Sequence, residues 1–168
     1  MTKKRLKHID RQNQIIDIAR DLVSSGGIHN LTIRKLSNHA GITEAAFYRH
    51  FTSREEVIIC LINEITEKLS KTINSVLDVN LKSLDCLEKI LNLHCSSIEL
   101  RQGLSFVVIL QASEFETYQI KTCGNNLFKM YLKTIEDIIY HGIKKGEIDR
   151  NVDPDSAAMM FFGIVQST

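Results

Sequence analysis

The sequence predicts an all-α fold on three observations. Its 168 residues hold a single proline and 8 glycines, so little interrupts helical hydrogen bonding. Apolar residues recur at three- and four-residue steps along most of the chain, the period that gathers them on one helix face. Capping residues and glycines fall between these runs, where helices would begin and end. With 43% apolar residues, the length supplies a core for one or two compact units.

The first helix is predicted from about His8 to Ser25, with Ile15, Ile16, Ala19, Leu22 and Val23 on one stripe, and it stops at Gly26-Gly27. Leu31 is a buried-type residue. Thr32 then caps a short helix whose apolar face is Ile33, Leu36 and Ala40. Gly41 ends that helix, because a C′ residue sits at positive φ and glycine does so without steric cost; the chain turns and buries Ile42. Thr43 caps the next helix, where Phe47 and Phe51 share the inward face while Thr43, Glu44, Ala45, Tyr48 and Arg49 stay outside. Ser53 with Glu56 forms a capping-box pattern, starting a helix at Arg54 whose first amides and guanidinium are placed to hold a backbone phosphate.

Two short helices joined at a glycine corner, with an exposed and unbulky N-terminal turn on the second, have the layout of a helix-turn-helix entering a major groove about 12 Å wide. Periodicity alone leaves an ordinary helical bundle open. Charge supplies an independent observation. Residues 1 to 54 carry 10 Lys/Arg against 4 Asp/Glu, a net of +6, and residues 55 to 168 carry 11 against 16, a net of −5. Lys3, Lys4, Arg5 and Lys7 form a basic arm that either follows phosphates and an adjacent minor groove or is a solvated tail.

The stretch from Thr32 to Arg54 resembles the DNA-binding domain of the TetR/AcrR family of repressors. It has the Thr-x-Arg-x-Leu start, the Ala-Gly-Ile-Thr turn, the Phe-Tyr-x-His-Phe core and a basic residue three positions after the final Phe. Ala45 replaces a common glycine and Arg54 a common lysine; alanine still leaves room for a base edge, and arginine still binds phosphate. The resemblance implies DNA contacts at Thr32, Arg34, Thr43, Glu44, Ala45, Tyr48, His50 and Arg54. Of these, Thr32, Thr43, Tyr48 and Arg54 are expected mainly on phosphates, and Arg34, Glu44 and Ala45 on base edges. His50 is assigned either to DNA or to packing against the first helix. The implied domains are 1–53, the three-helix reading head, and 54–168, a helical effector-binding and dimerisation bundle.

The helix from Arg54 runs to about Val79 with Ile58, Ile62, Ile65, Leu69, Ile73 and Val76 in register, joining head to body as one rod. Another spans about Lys82 to Arg101 on Leu84, Leu87, Leu91, His94 and Ile98, until Gly103. Leu104–Leu110 reads locally as a strand, but one strand without a partner leaves its backbone groups unpaired, so helix is expected. A long helix follows from about Tyr118 to Lys145 with Leu127, Tyr131, Ile135 and Ile138 inward, ending at Gly146. Asp153-Pro154 opens a final helix with Ala157, Ala158, Phe161, Phe162 and Val165. The family's dimer is built from helices near this end, and the chain stops at Thr168; either it is truncated or its dimer is unusually small. Phe161, Phe162, Ile164 and Val165 are expected to be exposed on a monomer and to meet a second copy.

By the same resemblance the body holds a small-molecule effector whose binding alters the spacing of two heads in a homodimer on double-stranded operator DNA. Its walls are sought at Ile65, Leu69, Leu91, His94, Cys95, Ile98, Phe106, Leu110, Phe115 and Tyr131, each of which also suits plain core. Gln111, Glu114 and Glu116 are polar anchors or solvated surface. His94-Cys95 is no metal site by spacing, since helical neighbours point about 100° apart and further ligands are lacking. No catalytic constellation, phosphate loop or cofactor motif is present in the sequence, which disfavours an enzyme or carrier. No apolar run nears the roughly 20 residues of a membrane span, and no signal peptide is apparent, so a cytoplasmic, membrane-free protein with four reduced cysteines is expected. The reading is a ligand-responsive regulator, foremost a repressor released by its effector; a constitutive DNA-binding protein is the alternative.

Overall fold

Residues 7–76, 81–99 and 117–167 are described by a computed structural model, in which every regular element is helical. Helix α1, His8–Gly26, buries Ile15, Ala19, Leu22 and Val23, the stripe its sequence spells. Gly27 (φ 72°) turns the chain into a single 3-10 turn, Ile28–Asn30. Helices α2, Ile33–Ala40, and α3, Glu44–Phe47, then stand on α1 around a core of Leu31, Leu36, Ala40, Phe47 and Phe51.

The corner between α2 and α3 closes on local backbone hydrogen bonds. Gly41 sits at φ 64°, the left-handed region that glycine reaches without a Cβ penalty. Its N–H donates to the Asn38 carbonyl at 3.1 Å and the Ile42 N–H to the Ser37 carbonyl at 3.0 Å, which completes a Schellman cap. Beyond Phe47 the backbone tightens: the N–H groups of Arg49 and His50 donate to carbonyls three residues back, at 3.3 and 2.8 Å. The regular α-helical part of α3 is thus a single turn.

Helix α4, Arg54–Val76, is continuous and serves both halves of the molecule. Val57, Ile58, Leu61 and Ile62 are fully buried near its start, and Ile65, Leu69 and Ile73 continue the seam toward the body. Its expected capping box is displaced by one residue: Ser53 Oγ accepts the Glu56 N–H at 3.2 Å, but the Glu56 carboxylate reaches back to Thr52, accepting its N–H at 2.5 Å and its hydroxyl at 2.7 Å.

The body consists of α5, Ser83–Glu99, α6, Tyr118–Lys145, and α7, Pro154–Ser167. Helix α6 carries Leu127, Tyr131, Ile135 and Ile138 inward, as its spacing predicts, and ends on Gly146 at φ 74° with a second Schellman cap. Helix α5 differs from the sequence reading. Its buried seam is Ser83, Cys86, Ile90 and His94, with Leu87 and Leu91 on the flank and Leu84 exposed, so the inward face is rotated toward the smaller residues. Glu147, beyond α6, accepts the Ser83 N–H at 2.6 Å and so caps α5 from 64 residues away, and the bond holds its carboxyl below the usual range.

The last helix corrects a second expectation. Asp153 caps it as predicted, its carboxylate accepting the Ser156 N–H at 3.0 Å and hydroxyl at 2.6 Å. Phe162 and Val165, expected outside, are buried with Ala158, because steps of four and three residues turn them onto α6; the Phe162 ring meets Phe128 at 4.9 Å. Phe161 is half-buried. Ile164 is exposed as expected, beside Met159 and Met160. Leu104–Leu110, Gly103 and the basic residues Lys3, Lys4 and Arg5 lie outside the described residues.

Candidate nucleic-acid interface

One face of the head gathers most of the side chains singled out from sequence. Thr32, Arg34, Thr43, Glu44, Ala45 and Tyr48 are all exposed on α2, α3 and their caps. Thr32 Oγ1 accepts the Lys35 N–H at 3.2 Å and Thr43 Oγ1 the Ala46 N–H at 3.1 Å. A hydroxyl that caps through its lone pair keeps its hydrogen available to donate, which suits a phosphate oxygen. Tyr48 stands edge-on to the buried Phe47 ring, 5.8 Å between centroids, and is itself 54% exposed.

Two residues are placed differently from the rest. His50 is half-buried against α1, its ring 4.6 Å from that of His8, and its Nδ1 is buried without a hydrogen-bond partner. Burial, then the neighbouring His8, Arg11 and Arg49, pushes its pKa down, so the ring is chiefly neutral at pH 7 and brings no positive charge. Arg54 is turned inward: Nε donates to the Leu31 carbonyl at 2.5 Å and Nη2 to the Ile28 carbonyl at 3.1 Å.

Three residues of α1 that the sequence reading passed over hold this face together. Arg11 Nη1 donates to the Ala40 carbonyl at 3.0 Å, Gln12 Nε2 donates to the His50 carbonyl at 2.9 Å, and the His8 Nε2 pairs with the Arg49 carbonyl at 3.0 Å. The carbonyls near the ends of α2 and α3 are thus satisfied by side chains from α1. A signal existed: residues 8, 11 and 12 continue the stripe of Ile15, Ala19 and Leu22 by one turn, with polar residues in place of apolar ones.

In the body, the structure brings together two of the residues proposed for effector contact. Tyr131, fully buried on α6, pairs through its hydroxyl with His94 Nε2 on α5 at 3.2 Å, and the Phe162 ring lies 5.8 Å from the Tyr131 ring. Burial lowers the His94 pKa to about 4 and pushes the Tyr131 hydroxyl up, so both are neutral at physiological pH. Ile65 and Leu69 are buried on α4, and Leu91 and Cys95 are half-buried on α5. Phe106, Leu110 and Phe115, with Gln111, Glu114 and Glu116, lie outside the described residues, as does the side chain of Ile98. Among the described residues no group of three His, Cys, Asp or Glu is placed to hold a metal, and no helix is long and apolar enough to cross a membrane.

Comparison with known proteins decides what this arrangement belongs to. Residues 15–59 match the model of bacterial regulatory proteins of the tetR family, and residues 59–168 match that of the C-terminal region of YsiA-like proteins. The chain belongs to the TetR family. As a TetR-family protein it is a DNA-binding transcriptional regulator. The fatty acid metabolism regulator protein of Bacillus subtilis is 25% identical over 168 residues, all of this chain and 84% of that protein. The nucleoid occlusion factor SlmA of Vibrio vulnificus is 31% identical over 134 residues, 79% of this chain and 68% of that protein. Among solved structures, FadR from Bacillus subtilis in complex with stearoyl-CoA matches with a TM-score of 0.75 at 23% identity, over 92% of this chain and 83% of that one. AibR in complex with isovaleryl coenzyme A and operator DNA matches with a TM-score of 0.79 at 18% identity, over 92% and 83%. The two family models meet at residue 59, inside α4, the helix that TetR-family heads and bodies share in this chain.

Proposed function

We propose that this TetR-family regulator represses transcription as a cytoplasmic homodimer on a two-half-site operator, and that a fatty acyl-coenzyme A thioester releases it. The observation that carries the effector class is the match along the whole body to the fatty acid metabolism regulator protein of Bacillus subtilis, beside the likeness in fold to FadR from Bacillus subtilis in complex with stearoyl-CoA. The physical character of the body agrees: it offers apolar seams for an acyl chain, with the His94–Tyr131 pair as a neutral polar point among them. The division of labour places reading in 1–53 and effector binding and dimerisation in 54–168, with the exposed Met159, Met160 and Ile164 facing the second copy. No catalytic step enters this function.

For DNA reading we assign Arg34, Glu44 and Ala45 to base edges and the hydroxyls of Thr32, Thr43 and Tyr48 to phosphates. His50 acts through packing. The test is a titration of the protein against DNA upstream of its own gene, with a random duplex as control, followed by addition of stearoyl-CoA, a short acyl-CoA, coenzyme A or free fatty acid. Release by one class of thioester but not by coenzyme A or free acid is the expected result; binding indifferent to every addition would favour a constitutive DNA-binding protein. In the same assay Arg34→Ala should cost about 1–3 kcal/mol at one base position, and Tyr48→Ala should weaken all duplexes alike.

A further inference from the structure

We propose that Arg54 is a positioning residue for DNA reading: its guanidinium ties the chain entering α2 to the first turn of α4, and so sets how Thr32 and Arg34 are presented to the duplex. The inference rests on the DNA-reading role assigned above. Arg54 Nε and Nη2 form one of the two edges by which a guanidinium can grip a phosphate bidentately, and both donate to backbone carbonyls, Leu31 at 2.5 Å and Ile28 at 3.1 Å. Those carbonyls bracket the 3-10 turn that feeds α2. The Ile28 carbonyl also accepts the Leu31 N–H at 3.2 Å, so the arginine closes a turn that is already hydrogen-bonded. Leu31, fully buried, immediately precedes Thr32, the N-cap of α2, and Arg34 lies within the first helical turn. A small rotation at Leu31 is therefore carried directly into the base-facing side chain.

Lysine could not do the same. Its donors sit on a single nitrogen and do not span two carbonyls in a fixed plane, whereas either cation can meet a phosphate. Arg54→Lys therefore separates the two roles, since it keeps the charge and removes the fork. Binding of wild type, Arg54→Lys and Arg54→Ala to the operator and to a random duplex is measured across salt concentrations, and amide hydrogen exchange is followed without DNA. For Arg54→Lys we expect about a tenfold loss of operator-over-random preference, an unchanged salt slope, and faster exchange at the start of α2. A lysine variant with wild-type preference, alongside an Arg54→Ala slope smaller by about 0.9, would identify a phosphate ligand and overturn the proposal. Unchanged exchange in Arg54→Lys would overturn it as well. Failure of the DNA-reading role itself is seen separately, as a wild type without operator preference, while the DNA-free exchange still decides whether Arg54 holds the corner. Should Arg54→Ala not fold, the lysine variant alone carries the test.

Discussion

The reading head and the body use opposite means to fix their helices. In the head, α2 and α3 are short, and a polar group meets nearly every end: Thr32 and Thr43 as caps, Gly41 at the corner, and His8, Arg11, Gln12 and Arg54 on carbonyls. In the body, longer helices pack on continuous apolar seams, and the buried His94–Tyr131 pair and the distant Glu147 cap are among the polar contacts that join them. Directional bonds fix angles, whereas apolar seams allow small sliding at little cost. A surface that must match a rigid groove is thus held by the first kind, and the effector-binding role proposed for the body rests on the second.

The largest test of this contrast is Phe47→Ala. Removing a fully buried ring from the small core of the head should cost about 3–5 kcal/mol and abolish DNA binding, visible as a large fall in melting temperature. Its exposed neighbour Tyr48, replaced by alanine, should leave melting within about 0.5 kcal/mol of wild type while binding weakens. Comparable melting losses in the two variants would mean that Tyr48 belongs to the core.

A smaller effect probes the body. Tyr131→Phe removes the hydroxyl paired with His94 and should cost about 1–2 kcal/mol in urea unfolding. The same pair gives a signature in pH. His94 has a folded pKa of about 4, below the ordinary 6.5, so the unfolded chain binds more protons between those values. Its contribution is complete above about pH 6.5 and is lost as pH falls toward 4. A His94→Gln variant should show a flatter loss of stability across this window; an identical pH profile would mean that the buried imidazole does not govern acid sensitivity.

The finest comparison uses the two glycine caps. Gly41 and Gly146 sit at φ 64° and 74°, and alanine at either should cost about 1 kcal/mol for the left-handed backbone. Only Gly41→Ala should lower operator affinity, because only that corner sets the angle between α2 and α3. Equal losses of DNA binding would show that the body transmits strain to the head as readily as the head's own turn does.

How much of this was legible in the sequence follows from the range of each interaction. Thr32, Gly41, Thr43 and Asp153 act on amides and carbonyls within a few residues, so local spacing revealed them. Phe47, Phe51 and the inward residues of α6 follow from helical period, since nothing else competes for those faces. Arg54 could not be read this way, because its carbonyl partners lie 23 and 26 residues earlier and only the folded corner brings them near. The pairing of His94 with Tyr131 spans 37 residues and is equally silent locally. The buried faces of α5 and α7 failed for another reason: both helices carry apolar residues on more than one side, and neighbouring helices decide which side is covered.

The unbroken course of α4 has a mechanical consequence. Its 23 residues make a rod of about 34 Å whose first turns are bonded into the head and whose far turns lie in the body. A tilt of about 5° pivoting at the far end sweeps the near end through about 3 Å. That displacement is about one base-pair step along the duplex axis. A small change at the body end is therefore amplified along α4 into a displacement of that scale at the head.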